Sequence, residues 1–110
     1  LFRHALAVTK NNYLAHYNLG VMLEQKGQFD EAVTQYQAAV RLAPGYATFH
    51  NNLGIALYKN GDLEDAISQY KEAVRLKPNY PDALYNLATA LYKEGQTDAA
   101  IAQFQEGIQL

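Results

Sequence analysis

The chain contains no cysteine and no tryptophan, three prolines and a single methionine. Without thiols it forms neither disulfides nor thiolate metal sites, and cysteine usage leaves the redox compartment open. No apolar run approaches the ~20 residues needed to cross a bilayer, and no segment has the layout of a secretory leader. Direct membrane contact by this stretch is therefore not expected. Charge is sparse and nearly balanced: nine basic against eleven acidic residues give a net charge of −2. There is no basic stripe interleaved with aromatics, so nucleic acid is not an expected partner. The strict alternation of a half-buried strand is missing, as are low-complexity segments and linkers. The chain does not begin with Met, and Leu1-Phe2 reads like the inside of an element. The expectation is a piece of a longer protein.

What is present is an apolar content of 49%, ample for a packed core in one domain of 110 residues, and a repeat. The stretch Asn52-Leu53-Gly54-Ile55-Ala56-Leu57-Tyr58-Lys59-Asn60-Gly61 has a close copy one period earlier, from Asn18 to Gly27, and another one period later, from Asn86 to Gly95. Other positions keep the same period: Ala32, Ala66 and Ala100; Tyr36, Tyr70 and Phe104; Ala39, Ala73 and Gly107; Pro44 and Pro78. Small residues recur where helices must approach closely, and large ones where a gap must be filled. A fixed period of this size marks an array of stacked units.

Within each unit the apolar spacing is helical. It predicts helices over 13–26, 29–42, 47–60, 63–76, 81–94 and 97–110. Gly27, Gly61 and Gly95 close the first helix of each unit, being able to turn left-handed without a Cβ clash. Asp30 and Glu31 sit in a first turn, where negative charge complements the helix dipole. Pro81 suits a first helical turn, where no N–H is needed. Phe2, Ala5, Leu6 and Val8 fall one period before Tyr36, Ala39, Val40 and Leu42, so residues 1–12 read as the second helix of a truncated unit. Asn11 and Asn12 supply turn and N-cap chemistry after it.

These slots together resemble the tetratricopeptide repeat, a helix–turn–helix unit of ~34 residues. The resemblance covers the whole chain. It implies an all-α, right-handed superhelix of antiparallel helix pairs: a half repeat at 1–12, full repeats at 13–46 and 47–80, and a truncated third at 81–110. Three positions depart from the family pattern. His16 and His50 take the slot usually given to Trp, Ala88 replaces the first-helix Gly, and Lys10 stands where an end-of-repeat Pro is usual. In this family the first helices line a concave groove. Leu19, Gly20, Leu23, Gly27, Ala32, Tyr36, Ala39 and their periodic partners are then packing positions.

The groove slots left over are the candidate binding residues. Asn18, Asn52 and Asn86 recur on one face of successive first helices. An amide side chain offers one acceptor and two donors, so it can pair with both the N–H and the C=O of an extended peptide. Asn is a poor mid-helix residue, and its threefold presence asks for a reason: either such a ladder or a bond to the neighbouring helix or to water. The ladder is similar to that of the repeats in the O-linked N-acetylglucosamine transferases. Tyr17 and Tyr85 share a further slot with Asn51, and Tyr58 and Tyr92 share another with Glu24. A phenol presents a flat apolar face and a polar tip, which suits either binding or packing between repeats. Val21, Ile55 and Thr89 fill another groove slot, with Lys59 and Lys93 at the rim. A carboxylate clamp of the kind that chaperone-binding members use is not expected. Its positions correspond to Tyr17, Val21, Asn52, Asp82 and Asn86; only Asn52 fits, and Asp82 has the wrong sign.

Nothing reads as an enzyme. His16 and His50 are periodic equivalents in a packing slot, and no nucleophile–base or paired-carboxylate arrangement stands out. No metal or cofactor is expected. The expected function is a protein- or peptide-binding scaffold that holds an extended partner in the groove. One alternative is a self-assembly module acting through its ends and convex face, because Ile101, Phe104 and Ile108 should be exposed on the last helix; homo-oligomers would follow. Another alternative is an arm presenting substrate to a transferase domain elsewhere in the protein. Phe2 to Thr9 followed by Asn12 resembles the lead-in to the repeats of bacterial glycosyltransferase-like membrane proteins. That implies a soluble stretch in bacterial cytoplasm or periplasm whose parent is membrane-anchored.

Overall fold

A computed structural model of the chain describes residues 12–109. Six α-helices follow one another: α1 (Asn12–Gln25), α2 (Phe29–Leu42), α3 (Ala47–Lys59), α4 (Leu63–Leu76), α5 (Pro81–Lys93) and α6 (Thr97–Gln109). Every bound lies within one residue of the helix expected from the sequence. The reading of residues 1–11 as a half-repeat helix, and of Asn11 as part of a cap, lies outside the described residues. No helix among the described residues is long and apolar enough to cross a membrane.

The turns follow from residue type. Gly27, Gly61 and Gly95 all take positive φ, between 78° and 91°, where a Cβ would be strained. The chain then reverses and bonds back onto the helix it has left: Gln28 N–H donates to Leu23 O, Asp62 N–H to Leu57 O, and Gln96 N–H to Leu91 O, each at 2.9 Å. The second helices end instead before Pro44 and Pro78, and α5 opens on Pro81 in its first turn.

The helices pair as α1 with α2, α3 with α4 and α5 with α6, and the pairs stack through α2 against α3 and α4 against α5. First helices also meet, α3 against α5. No pair of second helices comes comparably close among the described residues. The array therefore curves with the first helices on its inner face, as a right-handed α-solenoid.

The core is built twice by one device. Gly20 lies against the ring of Tyr36 and Gly54 against that of Tyr70, and a Cβ on either glycine would come within 2.7 Å of the ring. Both tyrosines are buried, and Ala32, Ala39, Ala66 and Ala73 seal the pairs around them. Leu19 differs in exposure from its periodic partners. It is 42% exposed, whereas its periodic partners Leu53 and Leu87 are 2% and 3% exposed. The partners are covered by the second helix of the repeat before them. For Leu19 that position falls outside the described residues.

Candidate functional site

The inner face carries three adjoining depressions. The first, of about 260 Å³, lies between α1 and α3 and is lined by Val21, Glu24, Gln25, Tyr36, Asn52, Ile55 and Lys59. The second, of about 370 Å³, lies between α3 and α5 and is lined by Asn51, Asn52, Ile55, Tyr80, Asp82, Tyr85 and Asn86. The third, of about 220 Å³, is the most apolar of the three and is lined by Ile55, Tyr58, Lys59, Tyr70, Tyr85, Asn86 and Thr89. Ile55 borders all three, so the groove is centred on a residue that the sequence marked as one groove slot among several.

The asparagines are held by the joints between repeats. Asn52 Nδ2 donates to the Tyr17 hydroxyl at 2.9 Å, and Asn86 Nδ2 donates to Asn51 Oδ1 at 3.1 Å. Each bond reaches back one period and one residue, and so links a first helix to the one before it. One N–H of each amide is thereby used, leaving its carbonyl oxygen and second N–H without a side-chain partner among the described residues. Asn18 is exposed and makes no such bond among the described residues.

The other expected binding residues divide between exposed and buried positions. Tyr85 and Tyr92 are 62% and 64% exposed; Tyr85 lines the second and third depressions, whereas Tyr92 lines none of the three. Asn51 is only 4% exposed and serves to hold Asn86. Tyr17 is half-buried, its ring stacked on Phe49 with centroids 4.7 Å apart. Tyr13, Tyr46 and Phe49 extend this into an aromatic cluster at the first joint. Burial raises the Tyr17 phenol above its ordinary pKa, while the hydrogen bond from Asn52 opposes the rise. Tyr58 is half-buried in the third depression.

Charge in the groove is largely paired. Glu24 accepts from the Tyr36 hydroxyl at 2.8 Å and from Lys59 Nζ at 3.3 Å, so the rim lysine of the second repeat is tied to the first. Lys93 Nζ sits 6.0 Å from the centroid of Tyr58, within reach of a cation–π contact. Asp82 has no ion-pair partner among the described residues. Burial first, then the bond to Glu24, pushes the Tyr36 phenol far up.

The histidines hold helix pairs together. His16 Nδ1 meets Gln35 Oε1 at 2.7 Å. Buried His50 repeats this with Gln69 at 2.8 Å and adds a bond from Nε2 to Pro44 O, also 2.8 Å. In the third repeat Leu84 occupies the slot, and Gln103 Oε1 is left buried with no partner among the described residues.

Stacked helix pairs with a polar, aromatic-edged inner face define a docking scaffold of the repeat type. The chain belongs to the tetratricopeptide repeat family. The model described as TPR repeat matches residues 22–61 and 56–95, and two models described as tetratricopeptide repeat match 1–34 and 81–110. Curated proteins give no match. Among solved structures, the chain is similar to the second TPR of Spaghetti (RPAP3) bound to the HSP90 peptide SRMEEVD. They share 20% identity at a TM-score of 0.86, over 94% of this chain and 98% of that one. Two structures of MamA share 25% identity over 88% of this chain, with TM-scores of 0.85 and 0.84. This chain spans 57% and 53% of those two, little more than half. Tetratricopeptide repeats are in general protein-interaction modules and not enzymes, and the chain is a protein-binding scaffold.

Proposed function

We propose that the inner face captures an extended segment of a partner protein along Val21, Asn52, Ile55, Asn86 and Thr89. The observation that carries this reading is the setting of Asn52 and Asn86. Each amide is oriented by one bond to the preceding repeat and keeps a donor and an acceptor for a peptide backbone. Groups fixed before binding lose little freedom on binding, which favours affinity. Tyr17 and Asn51 act as supports, and Tyr85, Tyr92 and Tyr58 supply contact area. Asn18 extends the row on α1. The similarity to a repeat domain bound to an HSP90 peptide is in keeping with a peptide ligand.

The test is capture of partners from lysate of the source organism on two variants beside the wild type. Asn18→Ala with Asn52→Ala and Asn86→Ala removes the amides. Ile55→Trp fills the shared wall of the three depressions and leaves the bonds between repeats in place. Circular dichroism checks that all three proteins are equally helical. A partner kept by wild type and lost by both variants supports the groove; equal retention by all three removes it.

A second reading is self-assembly, favoured by the exposed apolar face of α6. Ile101 and Phe104 are exposed and Ile108 is 83% exposed. Beside them lies an apolar cavity of about 240 Å³, lined by Pro81, Tyr85, Gln103, Phe104, Gly107 and Ile108. Under this reading a second copy covers the face of α6 and light scattering gives a mass that rises with concentration. Phe104→Lys then restores a monomer, and a strict monomer for wild type at high concentration contradicts it.

A further inference from the structure

The two joints between repeats are built differently, although the same slots make them. At the first joint Tyr13, Tyr17, Tyr46 and Phe49 form the aromatic cluster that fills the gap. One period on, those slots hold Ala47, Asn51, Tyr80 and Ala83. Three of the four rings are gone, and the depression between α3 and α5 stands in the corresponding place. The slot of Leu14 and Thr48 becomes Asp82 in the third repeat. Asp82 lines this depression, is exposed, and has no ion-pair partner among the described residues. The remaining walls are Ile55, the Tyr80 and Tyr85 rings, and the amides of Asn51, Asn52 and Asn86. A carboxylate, amide carbonyls and aromatic faces together suit a cationic side chain. The adjoining apolar depression shares Ile55, Tyr85 and Asn86 with it, and suits an uncharged apolar side chain.

We propose that the groove selects a partner segment with a basic side chain facing Asp82 and an apolar side chain in the neighbouring pocket. This rests on the groove reading and adds the chemistry of the partner to it. The two side chains come from the same face of an extended segment, two residues and ~7 Å apart. Lys or Arg gains the carboxylate at Asp82, whereas an acidic residue there meets a like charge. An exposed charge contact is weak and screened by salt. The preference for Arg over Glu at that position is therefore about tenfold at low ionic strength, and it shrinks as salt is added.

The experiment is selection from a phage-displayed library of random short segments on wild-type protein, with clones that still bind Ile55→Trp discarded. The selection is then repeated on Asp82→Lys and Asp82→Asn. Asp82 is exposed, so both variants are expected to fold, and circular dichroism verifies it. The expected result is enrichment of Lys or Arg two positions from an apolar residue, loss of that enrichment on Asp82→Asn, and a switch to Asp or Glu on Asp82→Lys. Groove-dependent clones with no basic preference, or with one that Asp82→Lys leaves unchanged, overturn the charge inference and leave the groove reading standing. If every clone binds Ile55→Trp as well as wild type, the groove reading falls and this inference falls with it.

Discussion

Asn52 and Asn86 show how one residue type serves two ends. Asn disfavours a helix interior because its side chain competes for backbone bonds. Here each amide spends one N–H on the preceding repeat, and on the proposed reading the rest serves the groove. The tyrosines divide their faces in the same way. Tyr70 is buried against Gly54, and burial raises its phenol well above the ordinary value of 10. The sign of the pH effect follows. Unfolded chains release the phenolic proton near pH 10 while the fold retains it, so stability is intact below pH 10 and falls as pH rises beyond it. Denaturant titrations from neutral to strongly alkaline pH should show a midpoint that drops above pH 10. Tyr70→Phe should flatten that slope by about one proton, and an unchanged slope would refute the assignment.

At the scale of elements, two helices approach until a ring touches a backbone. Gly54 leaves no room for a methyl group, since a Cβ there would stand 2.6 Å from the Tyr70 ring. Gly54→Ala has a gain in helix propensity of about 1 kcal/mol to set against this clash. Overpacking of this kind costs about 1–3 kcal/mol, and Tyr70 is too enclosed to move away. The net expectation is a lower unfolding midpoint by calorimetry. The same change at Gly20 should act alike, because it meets Tyr36 at 2.7 Å. The third repeat already carries Ala88 opposite Phe104, and there the ring is 38% exposed.

The helix bounds were legible in the sequence because each is written in local chemistry: a glycine at positive φ closes the first helices, and a proline follows or opens the next element. Periodicity carried the pairing, since Ala32, Tyr36 and Gly20 have counterparts one period on, in Ala66, Tyr70 and Gly54, that make the same contacts. The roles of Tyr17 and Asn51 were not legible. Whether either faces the groove or props an amide depends on the register of two helices that belong to different repeats. The slot alone placed them beside Tyr85, which is exposed; Asn51 is buried and Tyr17 is packed on Phe49. The central place of Ile55 emerges only when the three depressions are seen to share it. The unpartnered Gln103 follows from one change, Leu84 in the slot of His16 and His50, which a comparison of repeats could have found.

For the whole molecule, stacking of near-identical pairs spreads stability along the array, each repeat leaning on its neighbours. On the proposed reading, selectivity depends on where the repeats differ. At the first joint aromatic rings fill the place that, at the second, is a polar depression bordered by Asp82. The most direct measurement of the central claim is a backbone-amide NMR titration of the protein with a segment taken from a captured partner. The account predicts shift changes concentrated at Val21, Asn52, Ile55, Tyr85, Asn86 and Thr89, and their loss in Ile55→Trp. Changes confined to the second helices, or to Ile101, Phe104 and Ile108, would contradict it and place the working surface on the outer face or on the exposed face of α6.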